Sequence, residues 1–512
     1  MLPNKALASD HAACYQALCS KDASFDGRFF VAVTSTGIYC RPVCRVRTPK
    51  ASNCRFFAHA AAAEAAGFRP CLRCRPELAP EYRPWSTEDA GSILLRHALQ
   101  LIRSQLSGAH TPDLLQNLSQ RLGISDRHLR RIFEAHLGVS PAQYLLTQRL
   151  LNAKRLLADT SIKIAEVAAG SGFGSVRQFN NAFVTRYGMR PGDMRRQQRS
   201  SPGPSNTTPV GAETRLFWRP PVAIDRLMGF LQDRAVAGVE EVMQTDQGWT
   251  IWRSLTVNGL TGQQRGWIRV QVPRGSCEVR LMVSDGLQAR LPEVTWRVRN
   301  WLDIDADPAA IDSTLGADFV QAAAGLRLPG AIDGFELGVR AVIGQQVSVK
   351  AARTVLGRLC EALGQPIETP HSSVHLGFPT PKDIGNADSE VLGRLGLTRQ
   401  KQTALKALAQ AVLSDQLDIS PSADAALTHQ LLVSLPGIGP WTAGYIVMRG
   451  LHWPDVWLEG DLVLRQALRS ADEMKTGEQP ADAARWAPWR SYAVMATWSG
   501  LLKTEMKQEC QT

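Results

Sequence analysis

The stretch LVSLPGIGPWTAGYI, at Leu432–Ile446, contains the pattern that decides the fold of the C-terminal half. An apolar segment with helical spacing ends at a Pro-Gly-Ile-Gly turn, and a second apolar helix follows. Gly437 and Gly439 allow a phosphate to approach the backbone closely, and the free N–H groups that open the second helix favour an anion. The pattern predicts a helix-hairpin-helix that binds the DNA backbone without reading its sequence. A helical hairpin with no ligand is the alternative.

A carboxylate follows this hairpin at a defined distance. Asp461 comes sixteen residues after Tyr445, within DVWLEGDLVLRQAL (Asp455–Leu468). A hairpin followed by an aspartate at this spacing resembles the helix-hairpin-helix DNA glycosylase superfamily, and the spacing matches Asp461 rather than Asp455 or Glu459. A carboxylate there can stabilise the positive sugar that forms as the N-glycosidic bond breaks, and can orient the attacking water. The resemblance implies that Asp461 is the catalytic residue of a glycosylase.

Two features of the superfamily are missing from this chain. The position that holds a nucleophilic lysine in the bifunctional lyase branch is Trp441 here, so no amine is available to form a Schiff base. The four-cysteine pattern of the iron–sulfur branch is also absent from the C-terminal sequence. Both absences predict a monofunctional enzyme that hydrolyses the bond without lyase activity and without an iron–sulfur cluster.

Most of the C-terminal half is similar to the 3-methyladenine DNA glycosylase II (AlkA) group, from about Arg215 to the end. The matching stretches are FWRPPVAIDRLMGFLQDRAVAGVE (Phe217–Glu240), LGVRAVIGQQVSVKAA (Leu337–Ala352) and PWRSYAVMATW (Pro488–Trp498). By position, the resemblance implies a residue that wedges into the duplex at Ile343, where the group has leucine, and a base pocket lined by Phe230, Trp441, Tyr445 and Trp498. Aromatic rings attract a cationic alkylated purine by roughly 1–2 kcal/mol. Each ring has an alternative interpretation as an ordinary core residue.

The charge of the chain is divided unevenly along its length. Residues 1–199 hold 28 Lys and Arg against 14 Asp and Glu, whereas the remainder holds 30 against 33. A basic N-terminal region is typical of a domain that binds a polyanion such as DNA, although a merely soluble basic domain is equally compatible with the charge. No run of 18 or more apolar residues and no secretory signal is present, which predicts a cytoplasmic protein without membrane contact.

Seven of the ten cysteines lie before residue 75, and four of them form the pattern Cys40-x3-Cys44-x26-Cys71-x2-Cys74. Two close pairs of thiolates are suited to one tetrahedral zinc ion, and a structural site is the simplest interpretation. The surrounding FDGRFFVAVTSTGIYCRPVCRVRTPK (Phe25–Lys50) and FFAHAAAAEAAGFRPCLRCRPE (Phe56–Glu77) resemble the metal-binding domain of the Ada family.

That resemblance implies that the zinc site is also reactive. In the family one zinc-bound cysteine accepts a methyl group from a methylphosphotriester of DNA, and the matching position is Cys40. The basic residues beside the cysteines would hold phosphates or form a solvated loop; they are Arg41, Arg45, Arg47 and Lys50. Cys54 has no assigned role. The Pro-Cys-His-Arg motif of the O6-methylguanine methyltransferase domain is absent, so that activity is excluded.

Residues 88–198 read as helical and contain a repeat at about 50 residues, Leu118–Pro141 and Ala168–Pro191, joined by a helix predicted over Ala142–Leu157. The repeat resembles the AraC-type domain with two helix-turn-helix motifs. Groove-facing candidates, whose side chains suit guanine and adenine edges, are Arg127, His128, Arg131, Ser175, Arg177, Gln178 and Asn181. The residues interpreted as core are Leu129, Phe133, Phe179 and Phe183.

The predicted fold class is multidomain and mainly α. The predicted domains are a small zinc-bound α+β domain at 1–82, an all-α paired helix-turn-helix at 86–198, a linker at 199–213, an α+β AlkA-type N-terminal domain at 214–303 and an all-α glycosylase domain at 304–512. The expected partners are double-stranded DNA with alkylated bases or methylphosphotriesters, promoter DNA and RNA polymerase, with the chain acting as a monomer. Two alternatives stay open: a transcriptional regulator whose glycosylase half is inactive, and a front half that only holds the enzyme on DNA.

Overall fold

The structure is a computed structural model, which describes residues 4–81, 90–106, 114–199, 211–259, 262–317, 319, 324–467 and 483–500. The chain divides into two compact units. The first unit comprises Met1–Pro220, Val257–Gln264 and Gly275–Trp296, and the second comprises Pro221–Thr256, Arg265–Arg274 and Arg297–Thr512. Residues 200–210 of the predicted linker and residues 83–85, between the first two predicted domains, lie outside the described residues. In the described part of the chain, no helix is both long and apolar enough to cross a membrane.

The first unit begins with a small sheet whose strands follow the order β3-β1-β2-β4. The strands are β1 Phe30–Val33, β2 Ile38–Cys40, β3 Cys54–Phe57 and β4 Arg69–Pro70, and the helices around them are α1 Asn4–Ser9, α2 His11–Ser20 and α3 Ala60–Ala65. Strand β1 is antiparallel to β2 and to β3, whereas β2 and β4 are parallel. Because parallel strands end at the same edge of a sheet, the loops that follow β2 and β4 start side by side.

The same unit continues with the helices of the predicted paired helix-turn-helix. They are α4 Ala90–Leu106, α5 Leu114–Arg121, α6 Asp126–Leu137, α7 Pro141–Asp159, α8 Ile164–Gly170, α9 Val176–Tyr187 and α10 Pro191–Arg199. The repeat is visible in the caps, because Ser125 and Ser175 open α6 and α9, and Gly138 and Gly188 close them in the left-handed conformation. Ser140 and Gln143 form a capping box that starts α7. The predicted connecting helix is confirmed.

A mixed region of strands and helices follows residue 211. Its strands are β5 Ala212–Phe217, β6 Glu240–Thr245, β7 Gly248–Gly259, β8 Gly262–Pro273 and β9 Glu278–Val283, and its helices are α11 Ile224–Gln232 and α12 Leu291–Trp301. In the first unit β5 pairs antiparallel with β9, and in the second unit β6 pairs antiparallel with β7. These strands and helices give the region the α+β character that the sequence predicts for residues 214–303.

The rest of the second unit is helical in its described part. Its helices are α13 Pro308–Leu315, α14 Gly334–Gly344, α15 Val349–Leu363, α16 Pro381–Asn386, α17 Ser389–Arg394, α18 Arg399–Leu413, α19 Ala425–Ser434, α20 Pro440–Gly450, α21 Leu462–Ala467 and α22 Arg490–Trp498. Helix α14 is central, since it contacts both α18 and α20. Gly338 permits this contact, because an added Cβ would lie 2.8 Å from Leu408 Cδ2. The C-terminal end of α14 is thereby held beside the hairpin.

Candidate functional site

The predicted hairpin is present as α19, a turn at residues 435–439, and α20. Gly437 has φ +79°, and an added Cβ would lie 3.0 Å from Ala404 Cβ, so this position requires glycine. Ile438 is buried and fixes the turn to the core, while Gly439 is exposed at the start of α20. The amides that a DNA phosphate would contact therefore lie at an accessible helix start, as the sequence predicts.

A glutamine that sequence reasoning did not single out holds the hairpin in place. Gln345 Nε2 donates to Gly437 O at 3.0 Å and to Thr442 Oγ1 at 3.1 Å. Lys401 Nζ donates to the carbonyls of Ile343 and Gln345 at 2.8 and 2.9 Å, which satisfies the C-terminal end of α14. The turn after α14 and the hairpin turn are thus joined directly.

Asp461 lies immediately before α21 with its carboxylate held by three N–H donors. Leu464 N donates to Oδ1 at 2.9 Å, Trp498 Nε1 donates to Oδ1 at 3.4 Å, and Trp441 Nε1 donates to Oδ2 at 3.1 Å. The residue is only 8% exposed. Hydrogen bonds from these N–H groups fix the orientation of the carboxylate. The neighbouring Asp455 is instead paired with Arg490 at 2.7 Å, and its carboxylate is held away from this arrangement.

The aromatic residues predicted for the base pocket are largely brought together. Trp441 and Tyr445, four residues apart on α20, stack with ring centroids 5.6 Å apart and an interplanar angle of 7°. Trp498 on α22 lies 6.2 Å from Tyr445. These three rings and Asp461 line a cavity of about 570 Å³ in the second unit. Flat rings beside the Asp461 carboxylate at an open cavity are suited to a planar base with its sugar near that carboxylate.

Phe230 is placed differently from the other three aromatic residues. It does not line that cavity. The guanidinium carbons of Arg234 and Arg449 lie 3.7 and 4.8 Å from its ring centroid. Arg449 Nη1 also donates to the Tyr445 hydroxyl at 2.5 Å. Burial alone would raise the pKa of Tyr445, but the charges of Arg449 and Arg234 outweigh it and the pKa is lowered. Sequence reasoning missed both arginines; the four-residue spacing from Tyr445 to Arg449 was the available signal.

The prediction that Ile343 wedges into the duplex is wrong for this structure. Its side chain is 1% exposed and packs in the helical core, where it cannot reach DNA. The exposed part of this segment is the following turn, where Gln346 has φ +57° and Val347 is 45% exposed. Val347 also lines the mouth of the cavity.

The four cysteines of the first unit form one cluster. Their Sγ atoms all lie within 4.8 Å of one another, and Cys40, Cys44 and Cys71 are buried. The parallel pairing of β2 and β4 brings the two cysteine pairs together, since Cys71 N donates to Tyr39 O at 2.9 Å. Hydrogen bonding with Cys40 lowers the pKa of the Cys44 thiol to about 7. Four sulfur ligands from two short loops fit a tetrahedral zinc ion.

The basic residues around this cluster divide into two groups. Arg41, considered as a phosphate ligand or a solvated residue, is neither, because it is buried in an ion pair with Asp26 and packs on Phe217 at 4.4 Å. Arg47, by contrast, lines a cavity of about 630 Å³ that reaches Cys40, together with Arg69 and Arg73. These three arginines are exposed and can face a polyanion.

The candidate groove-facing residues lie on α6 and α9 and before α9. Those exposed are Arg127, Arg131, Ser175, Arg177, Gln178 and Asn181, and His128 is half-buried. Two of them also cap α9: Ser175 Oγ accepts from Gln178 N at 3.1 Å, and Gln178 Oε1 accepts from Gly174 N at 3.2 Å. The residues interpreted as core are confirmed as buried: Leu129, Phe133, Phe179 and Phe183.

Fold and sites together define a DNA repair protein that joins a helix-hairpin-helix glycosylase to a four-cysteine metal-binding domain and a helix-turn-helix. Four family models match the chain in order: the metal binding domain of Ada at residues 13–77, a helix-turn-helix domain at 118–197, the AlkA N-terminal domain at 213–333, and the HhH-GPD superfamily base excision DNA repair protein at 339–490. The chain belongs to the family of AlkA bifunctional transcriptional activators and DNA repair enzymes.

Three relatives illustrate this membership. The Mycobacterium tuberculosis (strain ATCC 25618 / H37Rv) protein named "Probable bifunctional transcriptional activator/DNA repair enzyme AlkA" is 36% identical over 499 residues, covering 96% of this chain and 97% of the relative. Escherichia coli (strain K12) DNA-3-methyladenine glycosylase 2 is 33% identical over 287 residues, 55% of this chain and 95% of the relative. The Escherichia coli (strain K12) bifunctional transcriptional activator/DNA repair enzyme Ada is 37% identical over 142 residues, 28% of this chain and 36% of the relative.

Proposed function

We propose that the second unit is a monofunctional DNA glycosylase that flips alkylated purines of the 3-methyladenine and 7-methylguanine type out of duplex DNA and hydrolyses their N-glycosidic bond. The observation that carries the proposal is the carboxylate of Asp461, held by three N–H donors at the edge of a cavity walled by stacked aromatic rings. A base stacked against these rings would place its sugar beside the carboxylate, which stabilises positive charge on the sugar.

The reaction requires little help at the base itself. Alkylation at N3 or N7 makes the purine cationic, so it leaves as a neutral molecule when the C1′–N9 bond breaks and both bonding electrons pass to the base. Asp461 would stabilise the remaining sugar cation and orient the water that adds to C1′, and the proton that this water loses passes to the solvent. Among the described residues that line the cavity none is a lysine, and Trp441 occupies the position of the lyase nucleophile. These features favour hydrolysis without strand cleavage.

The test is release of base from duplex DNA carrying N-methylated purines. Chromatography of the products from the full chain should show free 3-methyladenine and 7-methylguanine, while the DNA strand stays intact until it is treated with alkali. Strand cleavage without alkali would refute the monofunctional assignment. Absence of any released base would favour the regulator with an inactive glycosylase half.

We also propose that the four cysteines hold one zinc ion and that Cys40 accepts a methyl group from a methylphosphotriester. Zinc, when bound, keeps the cysteine ligands deprotonated at neutral pH. In the transfer, the Cys40 sulfur donates an electron pair to the methyl carbon, the methyl–oxygen bond breaks, and its electrons leave a charged phosphodiester oxygen. Arg47, Arg69 and Arg73 support this role, because they lie around the cavity at Cys40 and can hold the neighbouring phosphates.

Mass spectrometry after incubation with methylated DNA tests the transfer. One added methyl group is expected on the peptide that contains Cys40. Cys19 is an internal control for random alkylation, since its thiol is exposed and lies outside the cluster. Equal methylation of Cys19, or none at Cys40, would contradict the proposal while leaving zinc binding intact.

The helix-turn-helix is proposed to bind promoter DNA through the exposed residues of α6 and α9, so that the chain regulates transcription as well as repairing DNA. Contact with RNA polymerase, a monomeric state, a cytoplasmic location, the absence of an iron–sulfur cluster and the domain boundaries stay predictions. DNA footprinting with and without methylated Cys40 would separate a promoter-specific regulator from a front half that only holds the enzyme on DNA.

A further inference from the structure

Buried charges join the second cysteine loop to the helix that connects the two helix-turn-helix motifs. Lys154 of α7 is 0% exposed, and its Nζ donates to the backbone carbonyl of Cys71 at 3.1 Å and to Glu77 at 2.6 Å. Arg75 donates to both carboxylate oxygens of Asp159, at the end of α7, at 2.5 and 2.8 Å. Burial alone would raise the pKa of Glu77, but Lys154 and Arg75 lower it to about 2. The loop and the helix are thus joined by two ion pairs in which Lys154, Glu77 and Asp159 are buried and Arg75 is partly exposed.

A second buried carboxylate reaches the helix that would read DNA. Glu64 on α3 accepts from the hydroxyls of Tyr39 at 3.0 Å, Thr147 at 3.1 Å and Tyr187 at 3.4 Å. Tyr39 is on β2, directly before the first cysteine, Thr147 is on α7 and Tyr187 is the last residue of α9. Arg186 of α9 approaches the same carboxylate at 3.8 Å. One side chain therefore contacts the cysteine strand, the connecting helix and the second recognition helix.

The cavity at the cysteine cluster is built from the same elements. Its wall includes Cys40 and Cys71 on one side, and Tyr187, Met189 and Met194 from the end of α9 and from α10 on the other. Tyr187 and Met194 are themselves buried. The second helix-turn-helix thus forms part of the wall of the cavity that contains Cys40.

Buried ion pairs and hydrogen bonds such as those of Lys154 and Glu64 stabilise the fold only while each group keeps its partners. A buried lysine or glutamate that loses its partner leaves an uncompensated charge, which destabilises a protein far more than the intact pair stabilises it. If the Cys71–Glu77 loop lost its ordered conformation, Lys154 would lose both acceptors at once. Helix α7 would then have to move or open to rehydrate that charge.

We propose that Lys154 and Glu64 are positioning residues that make the four-cysteine site and the second helix-turn-helix one cooperative unit, so that occupancy of the cysteine site by metal stabilises α7 and α9. By thermodynamic reciprocity, ordering of α9 on DNA then tightens metal binding at the cysteines. This inference rests on metal binding by the cysteines, which is part of the proposed function, and is independent of methyl transfer and of base excision.

Hydrogen–deuterium exchange of the full chain, with zinc bound and after removal by a chelator, tests the coupling without any substitution. Removing zinc should accelerate amide exchange in α9 and in the second half of α7 by about tenfold or more, while α6 of the first motif changes by less than about twofold. Faster exchange confined to the β1–β4 region, with α7 and α9 unchanged, would overturn the inference.

A variant separates positioning from general stability. Lys154→Met keeps the length of the side chain and removes its charge and hydrogen bonds. Its affinity for cobalt(II), followed by the thiolate-to-cobalt absorption, should fall about tenfold or more, the range seen when a group that supports a metal ligand is lost. Leu118→Ala, a buried residue of the first motif, is the matched control that destabilises the chain and should leave cobalt affinity unchanged. Equal cobalt affinity of Lys154→Met and wild type would refute the positioning role. No cobalt binding by wild type would refute metal binding itself.

Discussion

Replacing Asp461 by asparagine removes one negative charge from the candidate active site and changes little else. The two oxygens of the native carboxylate accept three hydrogen bonds, two at Oδ1 and one at Oδ2. An asparagine can place its carbonyl at the Oδ1 position and keep the bonds from Leu464 and Trp498. Its NH2 group then faces the Trp441 indole N–H, so two donors oppose each other. The fold should lose about 1–3 kcal/mol, the cost of one unsatisfied buried group.

The effect on catalysis should be larger. A unit negative charge about 4 Å from a sugar cation contributes about 4 kcal/mol at an effective dielectric constant near 20. Each 1.36 kcal/mol of transition-state stabilisation corresponds to about a tenfold change in rate. Asp461→Asn should therefore slow base release by about a thousandfold.

The assay is single-turnover release of 7-methylguanine from a duplex, with enzyme in excess so that binding does not limit the rate. Asp455→Asn is the matched control: it makes the same chemical change six residues earlier, in a carboxylate paired with Arg490. It should keep the rate within about twofold, since the Asp455 carboxylate is paired with Arg490 rather than with the sugar; losing its charge costs about 1–3 kcal/mol in stability and nothing in the transition state. A rate for Asp461→Asn above a tenth of wild type, or an equal loss in both variants, would refute the catalytic assignment.

Three further results are expected. Gly437→Ala should lower the free energy of unfolding by about 1–2 kcal/mol, because the φ of Gly437 is +79° and Ala404 is close. Gly439→Ala is the control, since the space around Gly439 is open, and it should leave the free energy of unfolding unchanged. Thermal unfolding of both variants measures the difference, and equal midpoints would contradict this prediction. Burial raises the pKa of Glu64 to about 7 from 4.5, so the folded state holds the proton more tightly and stability falls as pH rises from 4.5 to 7. Urea unfolding across that range should show wild type losing up to about 3 kcal/mol relative to Glu64→Gln, and a constant difference would exclude the ionisation. Asn181→Ala should weaken a base preference by about 1–3 kcal/mol in DNA selected from a random pool, and an unchanged selected sequence would place Asn181 outside the groove.

Local patterns account for what the sequence predicted correctly. The glycine turn, the four-residue spacing of Trp441 and Tyr445, and the close cysteine pairs are all short-range features, and each fixes geometry within one or two turns of chain. The same kind of pattern contradicts the wedge assignment, because Val339, Val342 and Ile343 have the spacing of a buried helical stripe. Ile343 was assigned by position in a family, and its own periodicity indicated a core residue.

Pairs of residues distant in the sequence account for what could not be predicted. Arg41 lies among exposed basic residues, and only the fold brings it to Asp26. Lys154 is an ordinary charged residue of a long helix until the cysteine loop supplies its acceptors. Arg41 and Asp26 are 15 positions apart, and Lys154 and Glu77 are 77 apart. Helical or strand periodicity does not relate positions so distant, so these partners can be identified only from the folded structure.

The hydrogen bonds of Gln345 have a consequence for how damage is located. One amide group ties the exposed turn at Gln346 and Val347, at the mouth of the cavity, to the hairpin that would hold a phosphate. The separation between this exposed turn and the hairpin is therefore set by the protein, whatever DNA is bound. Such a fixed interval would present successive nucleotides to the same cavity in the same register, independent of their sequence.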